Sequence, residues 1–115
     1  MNPLIVGLDL GTTLCKASAF ELNGTVASSS QKGITTYRPY SGWAEQDPAE
    51  WKQPIIEVLA KLVADLGERS NQIKAIGLSC HGPSVIPTDK NYQPLWRCPI
   101  WQDQRAASLV NDLIQ

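Results

Sequence analysis

Asp9, Gly11, Thr12 and Thr13, in the run Asp9-Leu10-Gly11-Thr12-Thr13, are the residues of this 115-residue chain whose types and spacing could do chemistry. A carboxylate at the end of a strand can hold Mg²⁺, usually through the ion's water shell. Gly11 lets the backbone turn tightly and approach a ligand, and the two threonines set hydroxyls beside exposed amides. Such donors take phosphate oxygens, so the run offers half of a phosphoryl-transfer site. The same pentapeptide also fits an ordinary hairpin carrying a surface Asp.

Placing these groups requires a strand before them and a tight turn after. Leu4, Ile5, Val6 and Leu8 form a short apolar run without helical period, which reads as a strand buried on both faces. A second strand follows over Cys15–Leu22. Asn23-Gly24 is the strongest hairpin signal in the chain and returns a third strand over Val26–Tyr37, rich in Ser and Thr and so toward an edge. An aromatic-bearing loop leads to a helix over Asp47–Leu66, with Asp47 as N-cap, Pro48 at the first helical position, Glu50 at the third and Gly67 as the stop. Its apolar face is Trp51, Ile55, Leu59, Leu62, Val63 and Leu66, and Pro54 is expected to cost one intrahelical bond and bend the first turns. Ile73–Ser79 is a fourth strand, parallel to the first across the helix, and Val85–Thr88 a fifth. Leu95–Trp101 is irregular or a short strand. A second helix is expected from Gln104, with Asp103 as candidate N-cap and Leu109, Val110, Leu113 and Ile114 on its apolar face. This succession is an α/β layer, and the lack of a closing element suggests an incomplete domain.

Composition excludes several classes. Ten basic residues against eleven acidic ones, scattered along the chain, give no electrostatic grip on nucleic acid or membrane. The apolar runs are too short to span a bilayer, and Met1-Asn2-Pro3 leads straight into the first strand without a signal peptide. Cys15, Cys80 and Cys98 are odd in number and have no metal-ligand spacing, which points to reduced thiols in a cytoplasmic protein.

Asp9-Leu10-Gly11-Thr12-Thr13 resembles the first phosphate motif of actin, the Hsp70 chaperones and many sugar kinases. Gly42-Trp43-Ala44-Glu45-Gln46-Asp47-Pro48 followed by Trp51, then Ala75-Ile76-Gly77-Leu78-Ser79 with Gly82, and Pro99-Ile100-Trp101-Gln102-Asp103-Gln104-Arg105 are similar in order and spacing to the FGGY carbohydrate kinases. The resemblance covers essentially the whole chain. It implies an RNase H-like, actin-type fold with a mixed sheet of order 3-2-1-4-5 and helices on both faces. Residues 1–115 would be the N-terminal part of the first of two such domains. The implied activity is ATP-dependent phosphorylation of a sugar or polyol hydroxyl. Asp9 would be the Mg²⁺-linked carboxylate, Gly11, Thr12 and Thr13 the phosphate-binding turn, and Lys16 a further phosphate partner or simply a solvated strand charge.

On the substrate side the sequence departs from well-known members. In an ungapped register from Gly77 to Asp89, His81 stands where glycerol kinases and xylulokinases carry Gln. Gly82 and Pro83 replace an Arg-Glu or a Met-His pair that touches substrate. His81, the one histidine, lies just past a strand end and either lines the sugar site or bonds a neighbouring loop. Trp101 corresponds to a tryptophan that packs on the polyol, or is a core Trp. Asp103 is an N-cap or a hydroxyl acceptor. Trp43, Glu45 and Trp51 read mainly as scaffold. The family's general base lies outside this stretch, so the chain alone is expected to be inactive and to self-associate through unburied edges. A non-catalytic interaction fragment and a piece of another actin-like ATPase are the alternatives.

Overall fold

In chain order the elements of the computed structural model, which describes residues 2–114, are β1 (Leu4–Leu10), β2 (Leu14–Glu21), β3 (Val26–Gly33), β4 (Glu45–Gln46), α1 (Lys52–Leu66), β5 (Ile73–Cys80), β6 (Cys98–Pro99) and α2 (Val110–Leu113). They fall into two compact units. One comprises residues up to Ile34 together with Trp51–His81, and the other Thr35–Glu50 with the residues from Gly82 onward.

The first unit is a four-stranded mixed sheet of order β3-β2-β1-β5. β1 pairs antiparallel with β2 and parallel with β5, as the meander and helical crossover predict. The hairpin turns at Gly24, whose φ of 90° a residue with a Cβ rarely adopts, and the Asn23 side chain accepts a bond from the Thr25 amide at 2.9 Å. β3 stops at Gly33, short of the expected Tyr37, which instead bridges to Glu45.

The core forms where β1 and β2 turn alternate residues toward α1. Leu4, Val6 and Leu8, then Cys15, Ala17 and Ala19, pack against Val58, Leu62 and Leu66. Each large apolar side chain so buried contributes about 1.5–3 kcal/mol. The expectation that β1 is buried on both faces is wrong. Ile5, on the other face, is 43% exposed, because α1 covers only one side of the sheet.

α1 also begins later than its sequence signals suggest. Asp47 caps a separate 3₁₀ turn over Pro48–Glu50, with Oδ1 accepting from the Ala49 amide at 3.0 Å, and the α-helix starts at Lys52. Pro54 is therefore its third residue, where no amide has an intrahelical acceptor, so its missing N–H breaks nothing. Pro54, Val58, Leu62 and Leu66 make the buried stripe, while Val63 faces solvent. Gly67 ends the helix at φ 55°, its amide reaching the Ala64 and Val63 carbonyls.

In the open-face register, Phe20, Ile5 and Ala75 form one row across β2, β1 and β5. Ser18, Gly7 and Gly77 form the next, and Lys16, Asp9 and Ser79 the last.

The second unit has little regular structure. β4 and β6 pair antiparallel over two residues each. The expected strand at Val85–Thr88 does not form; Thr88 makes an isolated bridge to Pro94 around a turn in which Asp89 Oδ1 accepts the Asn91 and Gln93 amides. The expected helix from Gln104 shrinks to a 3₁₀ turn at Ala107–Leu109 and one α turn. Its Leu109, Val110, Leu113 and Ile114 side chains are all exposed, and so short a helix has no propagation to offset its nucleation.

Candidate functional site

β1 delivers Asp9 to the carboxyl end of the sheet, with Lys16 beside it on β2 and Ser79 beside it on β5. The backbone then reverses immediately, the Gly11 amide donating to the Leu14 carbonyl at 2.9 Å. A Cβ on Gly11 would lie 2.9 Å from that same oxygen and 3.7 Å from Asp9 Oδ2. Only glycine fits there, so the loop closes tightly beneath the Asp9 carboxylate. Thr12 and Thr13 sit in the bend, and the Thr13 carbonyl anchors it to β3 through the Ile34 amide at 2.8 Å. The Asp9 charge is felt locally. Burial first, and Asp9 second, push the Cys15 thiol above its ordinary value.

His81 follows β5 on the same rim. Its amide donates to the Leu10 carbonyl at 3.0 Å, extending the parallel ladder one residue past the strand. The imidazole meets the Trp51 ring edge-on, with centroids 5.5 Å apart. Asp9, the Gly11 turn and His81 thus share the carboxyl ends of two adjacent parallel strands, where open α/β sheets bind ligands. Trp51, read as scaffold, is a ring neighbour of this histidine.

Trp101 and Asp103 belong to the second unit. Trp101 is 58% exposed on a turn closed by the Asp103 amide and the Ile100 carbonyl at 2.9 Å. It is not a core tryptophan. Asp103 does not cap a helix from Gln104, because none starts there, and its carboxylate sits in a local network. Its Oδ2 accepts the Ala44 amide at 2.8 Å and Arg105 Nη2 at 2.7 Å, and its Oδ1 accepts the Arg105 amide at 3.1 Å and Nε at 2.9 Å. The Arg105 guanidinium, foremost, holds the Asp103 carboxyl down to about 2. The same guanidinium bonds Glu45 Oε2 at 2.9 Å and lies 3.8 Å from the Trp43 ring centroid. Glu45 is only 3% exposed, so this charge is buried and paired. Asp103 therefore caps no α-helix, and its carboxylate is held by Ala44 and Arg105.

Sequence reasoning missed Arg105. The Asp-x-Arg spacing was a visible signal, but Glu45 lies sixty positions away and only folding brings it in. Among the described residues no group of three or more His, Cys, Asp or Glu side chains could hold a metal ion, and no helix is long and apolar enough to cross a membrane.

Residues 4–115 match the model of the FGGY family of carbohydrate kinases, N-terminal domain. Over 114 residues the chain is 33% identical to a glycerol kinase of Natranaerobius thermophilus, covering 98% of this chain and 23% of that protein. Among solved structures, a xylulose kinase from Rhodospirillum rubrum superposes with a TM-score of 0.90 at 32% identity, covering 96% of this chain and 23% of that one. A gluconate kinase from Lactobacillus acidophilus gives 0.88 at 28% identity, with 99% and 23% covered. The chain thus spans just under a quarter of the length of these relatives and shares their actin-like sheet. It belongs to the FGGY family of carbohydrate kinases, whose N-terminal domain model it matches over residues 4–115.

Proposed function

We propose that this chain is the N-terminal portion of a cytoplasmic, ATP-dependent kinase that phosphorylates a hydroxyl of a sugar or polyol, and that the isolated chain does not turn over. The observation that carries this reading is the convergence of Asp9, the Gly11 turn and His81 at the carboxyl ends of β1 and β5. The tight turn under Asp9, closed to any Cβ, suits a phosphate-bound cation. A lone carboxylate suits Mg²⁺ that keeps most of its waters. When bound, Mg²⁺ with ATP supplies the transferable phosphoryl group and neutralises charge developing on it. Gly11 shapes the turn, the backbone and hydroxyls of Thr12 and Thr13 take the phosphate oxygens, and Lys16, opposite Asp9, adds a positive charge to the same rim. By the resemblance to the family, Trp101 would be the tryptophan that packs on the C–H side of the acceptor. The base that takes the hydroxyl proton lies outside this stretch, and without it and the second domain positioning and water exclusion both fail.

The test is ADP release across pentoses, hexoses and polyols, comparing this chain with a version extended by the rest of a kinase of this family. The expected result is no turnover by the short chain, and turnover by the extended one that Asp9→Ala abolishes. Turnover by the short chain that vanished in both Asp9→Ala and His81→Ala would make His81 the base and overturn the proposal.

A further inference from the structure

The second unit holds a pocket of its own. It measures about 400 Å³, a size common among small-molecule sites, and is lined by Pro39, Tyr40, Trp43, Glu45, Trp96 and Arg97. Local bonds build its wall. Tyr37 and Glu45 exchange amide-to-carbonyl bonds at 2.7 and 2.9 Å, and the Trp43 amide donates to the Tyr40 carbonyl at 3.0 Å. The Tyr40 and Trp43 rings meet at 71° with centroids 4.8 Å apart, so they form a corner rather than a parallel-sided slot. Tyr40 and Trp96 are 67% and 64% exposed. Two polar groups of the lining are open to a guest. Glu45 gives Oε2 to Arg105, while its Oε1 accepts no hydrogen bond among the described residues, although the side chain is only 3% exposed. The Arg97 guanidinium lies 3.7 Å from the Tyr37 ring centroid, which occupies its flat face and leaves its N–H edge without an acceptor among the described residues.

We propose that this pocket binds a pyranose ring, as a carbohydrate site that does not carry the reacting hydroxyl. None of Asp9, Gly11, Thr12, Thr13, His81 or Trp101 lines it, so the inference goes beyond the proposed function. A pyranose with equatorial hydroxyls shows ring hydrogens on its faces and hydroxyls on its rim. Its weakly positive C–H groups suit the negative ring faces of Tyr40 and Trp96. Its rim hydroxyls donate to Glu45 Oε1 and accept from Arg97, so both open groups gain partners. Other ligand classes leave something unmet. A cation meets Arg97 in the lining and Arg105 at 3.8 Å from the Trp43 ring centroid, two positive charges beside the rings that would otherwise cage it. A flat nucleobase can stack on one ring of the corner but meets the other edge-on. A purely apolar guest covers the Glu45 oxygen with hydrocarbon and gives it no donor.

The experiment titrates methyl β-D-glucopyranoside into this chain, and into the version extended by the rest of a kinase of this family, by calorimetry and saturation-transfer NMR. Sorbitol, adenosine and tetramethylammonium are the comparison ligands. The glucoside should bind both proteins with a dissociation constant on the order of 1 mM, with saturation concentrated on the axial hydrogens of one ring face. Sorbitol, a polyol without a ring face, should bind at least about tenfold more weakly. Trp96→Ala and Tyr40→Ala remove exposed rings and should each weaken glucoside binding at least about threefold with circular dichroism unchanged. Arg97→Lys keeps the charge but not the fork and should weaken it comparably. No glucoside binding, equal binding of sorbitol, tighter binding of adenosine or tetramethylammonium, or insensitivity to all three variants would overturn the inference. Binding by the short chain that the extended one loses would overturn it as well. So would turnover of the extended chain that fell in step with binding in Trp96→Ala, since the pocket would then hold the acceptor. Variant-sensitive glucoside binding in an extended chain without any turnover would instead overturn the proposed function and leave the pocket standing.

Discussion

The two units of this chain are held by different physics. In the sheet unit, apolar residues from β1, β2 and α1 interlock over a regular ladder, and the polar contacts are peripheral, as with the exposed Lys32–Glu57 pair at 2.8 Å. In the second unit regular structure is scarce. Arg105 ties Glu45 and Asp103 together, Asp103 reaches the Ala44 amide, and the Gln104 amide donates to the Gly42 carbonyl at 2.7 Å. A hydrophobic interior tolerates many volume-conserving changes, whereas a buried charge network fails when any partner is lost. The chain places its candidate phosphate turn on the first kind of support and Trp101 on the second.

The sharpest way to break that contrast is to empty the sheet core. Leu62→Ala removes a fully buried side chain and should cost the sheet unit about 3 kcal/mol, read as lost hydrogen-exchange protection in β1 and β2. Equal loss across the second unit would show that the two do not respond separately.

Attacking the network comes next. Arg105→Ala strands two buried carboxylates and should cost the second unit about 2–3 kcal/mol, below the usual range for breaking a buried pair because Arg105 keeps 25% of its side chain exposed. Arg105→Lys keeps the charge but not the fork and should restore only part of that. Acid probes the same network. Asp103 has a folded pKa of about 2 against 3.8 unperturbed, so its contribution is fully present above about pH 4 and lost as pH falls toward 2. The loss is on the order of 2 kcal/mol, and Asp103→Asn should flatten that part of the urea-midpoint profile.

The smallest effect sharpens the comparison from the other side. Lys32→Ala breaks an ion pair whose side chains are 54% and 39% exposed and should leave the sheet unit's urea midpoint unchanged. A clear loss would mean that surface charge matters to the sheet as it does to the second unit.

The sequence by itself determined the features set by local rules. Asn23-Gly24 dictated the hairpin, the apolar spacing and Gly67 dictated α1 and its end, and four motifs in order identified the family. Asp9-x-Gly11-Thr12-Thr13 was legible as a candidate phosphate turn because its residues are consecutive. Only the tertiary structure decided what depends on distant partners. Whether Ile5 is buried depends on what covers the sheet, and α1 covers one face. The start of α1 moved because Asp47 spent its cap on a 3₁₀ turn. Asp103, expected as an N-cap or a hydroxyl acceptor, caps no α-helix and takes Ala44 and Arg105 as partners, and Glu45 joins them from sixty residues away. Local spacing fixes dihedral preferences and caps, whereas the occupancy of a carboxylate's lone pairs is set by whichever donors folding brings within 3 Å.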